Sequence, residues 1–431
     1  MIDHDAAPTP LVTRRLYTDE SVLEREFATI FTDSWLLVGF ESEIPEPGDY
    51  VTRRMGRDPV IMSRSESGDV HVLHNSCTHR GTQVCKAAFG NTANFRCGYH
   101  GWAFANDGRL RGMPGRRTNY DPDLDVSKLG LKQARVGSVH GLVFATFSDR
   151  VGELDEFLGD YRWYLDRIFG FFPGGMEVHG GAHRVVIRGN WKIHAENFSG
   201  DGYHLRIAHR TMFDLGVMGE QAGATKGFCV STPQGHALRA QYVDDPALVD
   251  TVFGYPEEIL EPARRKDLPG AMEFRAASSV IHGVLFPNAP LITTAPVQFG
   301  EDATGQTAFT QVRVVTPIDV HSHEVTYWSL VPKDAPEEWR RKSYLYSVRQ
   351  HGAASYFEAD DLENFRRIDA GLGGSGGADV PLNYDLGIGV PLGGEAPFTG
   401  PGTVVSQDFS EANQRNFYRR YLEVLDEVVA P

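Results

Sequence analysis

The sequence predicts an α+β chain of two domains, a small antiparallel β domain followed by a larger domain of strands and covering helices. Three observations carry this. Helical spacing near the N-terminus gives way at about residue 36 to short β-rich runs separated by turn residues. Helical spacing returns near residue 150. Beyond it, strands and helices cluster separately and do not alternate as βαβ units, which favours α+β. A length of 431 residues accommodates two or three domains of ordinary size.

Taken in order, Val22, Leu23, Phe27, Ile30 and Phe31 recur at helical spacing, so a helix is expected from Thr18 to Trp35 with Thr18 as its N-cap. Strands are expected at Trp35 to Gly39, Tyr50 to Met55, Val60 to Met62, Val70 to Leu73 and Gly141 to Phe147. Leu154, Phe157, Leu158, Tyr161 and Leu165 restore the helical period. The expected division is therefore an N-terminal helical segment over 1–36, a β domain over 37–150 and a larger domain over 151–431. In the last, Arg184 to Ile187, Gln311 to Val315 and Glu324 to Leu330 read as strands. Glu337 to Arg349, Tyr356 to Ala370 and Ser410 to Val428 read as helices, and Gly371 to Gly377 as a loop.

Composition narrows the function. Hydrophobic residues make up 41% and charged residues 23%, an ordinary globular balance. No apolar run approaches the ~18 residues that span a bilayer, and the N-terminus lacks the pattern of a signal peptide. A cytoplasmic location is expected. A net charge of −15 disfavours nucleic acid and anionic membranes as partners. Four cysteines are too few for a disulfide framework in this length. Three of them, Cys77, Cys85 and Cys97, lie close together among histidines, a grouping that binds metal more often than it forms disulfides.

Cys77-Thr-His79 is followed by Cys97-Gly-Tyr-His100, one cysteine and one histidine from each of two loops. A Cys2His2 zinc site uses the same donors. The usual zinc finger, however, pairs Cys with Cys and His with His. One of each per loop suits a cluster whose two irons differ, one taking both thiolates and the other both imidazoles. Such ligation raises the reduction potential above that of an all-cysteine cluster. Cys85 and Cys229 fall outside the pattern and read as buried thiols.

Downstream, Glu196-Asn197-Phe198-Ser199-Gly200-Asp201-Gly202-Tyr203-His204 runs on to His209. Two histidines and a distant carboxylate make the triad of non-haem Fe(II) oxygenases. Five positions rotate a regular helix by about 140°, so His204 and His209 cannot face one ion from an unbroken helix. A break is expected between them. Alone, two histidines at this spacing are often unrelated.

Both motifs resemble those of Rieske non-haem iron aromatic-ring-hydroxylating dioxygenases, α subunit. Cys77-Thr-His79-Arg80-Gly81 and Cys97-Gly-Tyr-His100-Gly101-Trp102 are similar to that family's cluster loops, and Asp201 to His209 to its iron motif. The resemblance covers nearly the whole chain and implies a Rieske [2Fe–2S] domain followed by a helix-grip-like catalytic domain. It implies Cys77, His79, Cys97 and His100 as cluster ligands. It implies His204, His209 and Asp361 as ligands of a mononuclear Fe(II), with Glu358, Asp360 and Glu363 as competing carboxylates. Asp201 matches the family's bridge between an iron histidine and a cluster histidine, here His204 and His100 of the next subunit. Asn197 is placed near the iron without firm ligation.

Phe198, Leu205, Phe213, Val280, His282, Ile292, His351 and Phe357 match substrate-pocket positions. The absence of Lys and Arg among them favours a neutral mono- or polycyclic aromatic compound over an acid. His351 departs from the family, which often carries an apolar residue there. The implied activity is cis-dihydroxylation with O2 as co-substrate and electrons from NAD(P)H through a reductase or ferredoxin. Monooxygenation or demethylation is the alternative within the family, and a non-catalytic zinc-binding or electron-transfer protein the alternative outside it. The implied assembly is a homotrimer or an α3β3 complex with a small β subunit.

From Cys77 to Arg117, seven basic residues (Arg80, Lys86, Arg96, Arg109, Arg111, Arg116, Arg117) face one acid, Asp107, a local charge of seven minus one, +6, in a chain of −15. Some of these residues are expected to dock an acidic electron donor, with Arg109 and Arg111 as the residues to reverse; stabilising the reduced cluster or contacting a neighbouring subunit is the alternative.

Overall fold

The computed structural model describes residues 11–216, 227–241, 250–252, 254–278, 280–294, 307–390, 398–406 and 409–427. Two compact units divide between Ile30 and Phe31 and between Leu154 and Asp155, with the chain up to Ile30 belonging to the larger unit.

The chain opens with strand β1 (Leu11–Val12) and helices α1 (Arg15–Thr18) and α2 (Glu20–Ala28). Asp19, not Thr18, caps α2: its carboxylate accepts the Ser21 backbone N–H at 2.9 Å and the Ser21 hydroxyl at 2.6 Å. The expected single helix to Trp35 is therefore split at Asp19 and ends at Ala28. Thr29 turns its hydroxyl back on the Arg25 carbonyl at 2.8 Å, and Ile30 and Phe31 are buried without continuing the helix.

The smaller unit is all β. One sheet orders β10 (Arg135–Val139), β11 (Leu142–Thr146) and β2 (Leu36–Phe40). A second orders β5 (Val70–His74), β4 (Asp58–Arg64), β3 (Asp49–Met55) and β6 (Phe89–Asn91). A third orders β7 (Asn94–Arg96), β8 (Ala103–Ala105) and β9 (Leu110–Gly112). Its core joins Ile61, Leu73, Phe95, Trp102 and Phe104 to the three clustered cysteines.

In the larger unit, α3 (Leu154–Leu158) and α4 (Tyr161–Ile168) lead into an eight-stranded antiparallel sheet. Its spatial order is β12 (Met176–Arg188), β18 (Ser322–Pro332), β17 (Phe309–Asp319), β16 (Ala289–Thr294), β15 (Val280–Leu285), β14 (Ala237–Gln241), β13 (Gly227–Ser231) and β20 (Thr403–Val405). The two-residue strand β19 (Leu382–Asn383) pairs with β1.

Helix α5 (Trp191–Gly200) packs across β14 to β17 and is buried along most of its length. Asn190 caps it, accepting the Lys192 N–H at 3.1 Å while donating to the Tyr17 and Val320 carbonyls. Short helices α6 (Leu205–Ala208) and α7 (Arg210–Asp214) follow. After α8 (Glu257–Arg264) and α9 (Ala271–Ala277), helix α10 (Glu337–His351) packs on β17 and β18. Helix α11 (Tyr356–Leu372) packs on α10 and β12, and its buried residues Phe357, Asp361, Phe365 and Leu372 fall on one face. It runs into the expected Gly371 to Gly377 loop by two residues. Helix α12 (Ala412–Glu427) closes against α5. No helix among the described residues is long and apolar enough to cross a membrane.

Candidate metal centres and pocket

The cluster motif sits on two loops built alike. The Gly81 N–H returns to the Cys77 carbonyl at 2.8 Å and the Gly101 N–H to the Cys97 carbonyl at 3.1 Å. Gly81 and Gly101 take φ of 76° and 75°, a left-handed turn that glycine adopts without strain. Cys77 and Cys97 are buried, and their thiols face one another. The His79 and His100 rings lie 4.4 Å apart, and Trp102 stacks on His79 at 5.0 Å. His79 Nδ1 is buried with no hydrogen-bond partner among the described residues.

A single tetrahedral ion would gather all four donors within a few ångströms, since zinc bonds are about 2.0–2.3 Å. Among the described residues only one group of three donors is that compact, and it lies elsewhere. Thiols paired with each other, imidazoles paired with each other and an orphaned ring nitrogen fit a two-iron cluster and not mononuclear zinc.

The compact group is His204, His209 and Asp361, whose ligand atoms all lie within 4.8 Å of one another. Helix α5 ends at Gly200, where φ reaches 139°. His204 then starts α6, and His209 stands between α6 and α7 with φ −97° and ψ 26°. This is the break that the spacing demands. The two Nε2 atoms are 3.2 Å apart, and each lies 3.5 Å from Asp361 Oδ1.

The tautomers explain why a cation fits. His204 Nδ1 faces Asp201 Oδ2 at 3.1 Å, and His209 Nδ1 faces Asp360 Oδ2 at 3.3 Å. Asp360 is hydrogen-bonded to His209 Nδ1, and Asp201 stands within ion-pair range of His204 Nδ1 without hydrogen-bond geometry; both favour a proton on Nδ1 and leave the Nε2 atoms to converge with a carboxylate oxygen. Three lone pairs at this separation repel unless a cation joins them. The apo chemistry reflects that. Burial pushes the Asp361 carboxyl up to about 7. Burial opposes the charge on His204, yet Asp201 and Asp361 hold it up to about 9. Burial and the neighbouring His204 charge push His209 down to about 4.

The competing acids on α11 separate by contact. Glu358 is paired with Arg313 and His351, Asp360 with His209, and Glu363 with Arg366 and Arg367 on the outer face. Asp361 alone among them reaches both Nε2 atoms.

The triad lies between two hollows. Outside it is a cleft of about 660 Å³ lined by Glu196, Asn197, Asp201, Tyr203, Ile207 and Asn364 among others. Inside it is a pocket lined by Phe198, Leu205, Val280, His282, Ile292, His351 and Phe357, together with Asn197 and Asp201. Phe213 is not among the lining residues. Its ring lies under the Arg206 guanidinium at 5.6 Å, and its neighbour Met212 packs on Phe357 instead.

Beyond the eight expected positions, none of them Lys or Arg, the pocket has further lining residues. Arg239, Gln241, Thr294 and Gln350 also line it. Register supplies the reason. Arg239 pairs with His282 and His282 with Ile292; Gln241 pairs with Val280 and Val280 with Thr294. Side chains alternate along strands, so these two rows share one face. The polar residues become pocket residues only through pairing, which no local motif reveals.

Comparison with known proteins agrees with this geometry. Residues 34–132 match the family described as Rieske [2Fe-2S] domain, and residues 154–427 that described as ring hydroxylating alpha subunit (catalytic domain). The chain is 34% identical over 428 residues to the N,N-dimethyl phenylurea N-demethylase subunit alpha of Sphingobium sp. (strain YBL2), covering 96% of this chain and 91% of that one. It is 34% identical over 422 residues to the large oxygenase component of the 2,4-dinitrotoluene dioxygenase system of Burkholderia sp. (strain RASC), covering 94% and 89%. Its structure matches the crystal structure of naphthalene 1,2-dioxygenase from Rhodococcus sp. bound to indole with a TM-score of 0.90 and 35% identity, covering 98% and 95%.

Proposed function

The chain belongs to the ring-hydroxylating α-subunit family, and on that premise we propose that it is the terminal oxygenase of a multicomponent system that cis-dihydroxylates an aromatic compound. The observation that carries the reading is the His204–His209–Asp361 triad opening on a pocket walled by Phe198, Ile292 and Phe357. Placing both atoms of O2 on a ring takes two electrons and two protons from outside. NAD(P)H supplies the electrons through a reductase, a ferredoxin or both, and the protons are taken up from solvent, one of them replacing the proton that NAD(P)H oxidation releases.

Cys77, Cys97, His79 and His100 would hold the [2Fe–2S] cluster, and His204, His209 and Asp361 the iron. When bound, the cluster supplies stored electrons and the iron supplies one-electron chemistry toward O2. The chain's own residues do the rest. Asp201 and Asp360 fix the imidazole tautomers, as outer carboxylates do for metal-bound histidines. Phe198 and Phe357 line the pocket with aromatic surface that suits an aromatic substrate and keeps water from it. Asn197 borders both hollows beside the triad.

A trimer, alone or with a small β subunit, is the assembly we propose. The outer cleft supports it, because Tyr203 and Ile207 stand 61% and 81% exposed beside Asp201. A neighbouring subunit seated there would cover them and let Asp201 bridge His204 to that subunit's cluster histidine. All four cysteines are free thiols, which suits the cytoplasm.

The test is iron, sulfide and product analysis of anaerobically purified protein given a panel of aromatics and an electron donor. About three irons and about two sulfides per chain, with a dihydrodiol product, are expected. Zinc without sulfide would overturn the reading. Oxidative N-demethylation is a second reading, supported by the phenylurea demethylase relative; formaldehyde in place of a dihydrodiol would select it.

A further inference from the structure

Behind the inner pocket, and reaching it through His351, lies a buried charge network that ring oxygenation by itself does not require. Glu358 is ion-paired with Arg313, and both side chains are almost completely buried. Arg313 also donates to Gln311 Oε1 at 2.8 Å and to the His351 carbonyl at 3.3 Å, and its guanidinium lies 4.3 Å from the Phe198 ring. His351 ends α10, and its Nδ1 lies 3.2 Å from Glu358 Oε1. Its ring stacks on Phe357, 5.3 Å apart and 10° from parallel.

The network sets the tautomer of His351. A carboxylate ion-paired to Arg313 is an acceptor only, so the nitrogen facing it must carry the hydrogen. The neutral ring then presents Nε2 as a bare lone pair. Neutrality follows from the surroundings, since burial and the Arg313 charge both disfavour a second cation there, while Glu358 favours one. Nε2 has no protein partner among the described residues, and the ring lines the pocket. An acceptor left unsatisfied when the pocket fills with hydrocarbon carries a free-energy cost. A ligand that donates to it avoids that cost.

The position is also specific. The Phe357 ring lies 5.0 Å from His209 and 5.3 Å from His351, so it stands between the metal site and the acceptor. A donor group held at His351 is therefore held away from the ring edge that meets the metal site.

We propose that His351 Nε2 accepts a hydrogen bond from the substrate, so that the pocket selects aromatic compounds carrying a ring N–H or O–H over compounds of the same shape without one. This rests on the reading of the inner pocket as the ring-binding site. It makes a carboxylate, which can only accept, a poor partner at this position.

The test compares indole with indene and benzofuran, bicyclic rings of similar shape that lack the donor. Dissociation constants are measured by calorimetry on the iron- and cluster-loaded protein, and O2-dependent product is followed separately. Indole should bind about five- to tenfold more tightly than either analogue, the size of one net hydrogen bond. His351→Phe should erase the ratio, and His351→Gln, whose amide oxygen can accept, should keep part of it. The visible spectrum of the cluster and the melting temperature check that each variant is folded. Equal binding of the three rings to the unaltered protein overturns the proposal, as does a ratio that survives His351→Phe or binding of none of them. The function reading fails differently: a binding preference with no O2-dependent product from any ring would remove the oxygenase and leave the recognition standing.

Discussion

At the scale of single residues, the triad and its flanking acids divide one task. On the proposed reading, Asp361 would complete the ligand set, while Asp201 and Asp360, which stand 3.1 and 3.3 Å from the two Nδ1 atoms, would orient the histidines. Replacing Asp361 by Ala should therefore remove the mononuclear iron and nothing else. Metal analysis should fall from about three to about two irons per chain with sulfide unchanged and the red-brown spectrum retained. Loss of sulfide as well would place Asp361 at the wrong centre.

A second prediction concerns Glu196, which lines the outer cleft and accepts from the Tyr384 and Tyr17 hydroxyls at 2.9 and 3.2 Å and from Tyr418 at 2.5 Å. Burial pushes its carboxyl from 4.5 up to about 7 despite those donors. A raised folded value means that folding takes up a proton between these limits. The group's contribution is complete below pH 4.5 and is lost as pH rises through about 7. Glu196→Gln should flatten that part of the melting-temperature profile between pH 5 and 8, and an unchanged slope would contradict the assignment.

At the scale of elements, a helix break, a helix cap and a strand face show what sequence could and could not reveal. The His204 to His209 spacing alone required a break, because helical rotation is fixed. The cap at Asp19 was harder to see, since Thr18 and Asp19 are both good caps and only contact with Ser21 decides between them. The polar wall from Arg239 to Thr294 was invisible, because it depends on strand register between segments far apart in sequence.

Register and packing also hide the node that joins three helices. Glu26 of α2 accepts from the Trp191 indole at 2.7 Å and the Lys192 ammonium at 2.6 Å on α5, and from Tyr421 on α12. The Glu26 and Lys192 side chains are 0% and 1% exposed. Lys192→Met should cost about 3–5 kcal/mol, because it strands a buried carboxylate. Adding Glu26→Gln should recover much of that loss. Denaturant unfolding of the single and double variants checks it; a double variant as unstable as the sum of the singles would deny the pairing.

At the scale of the whole molecule, the charge distribution opposes a net −15 with a basic patch confined to the β unit. The structure sorts that patch. Arg109 is paired with Asp107 at 2.5 Å, and Arg116 is half-buried, donating to the backbone carbonyls of Asp121, Pro122 and Leu124. Arg80, Lys86, Arg96, Arg111 and Arg117 are exposed. A side chain already neutralised by a neighbour contributes little to a long-range field, so Arg109 is a weaker steering residue than its sequence position suggests. Reversal at Arg111 should then slow reduction by an acidic ferredoxin more than reversal at Arg109. The effect should shrink as salt is raised, because the Debye length falls from about 10 Å at 0.1 M to about 3 Å at 1 M. Stopped-flow reduction of the cluster at several ionic strengths measures this directly. Equal rates for the unaltered protein and Arg111→Glu at low salt would move the docking face elsewhere. A deficit that persists at high salt would mean that Arg111 tunes the cluster and not the encounter.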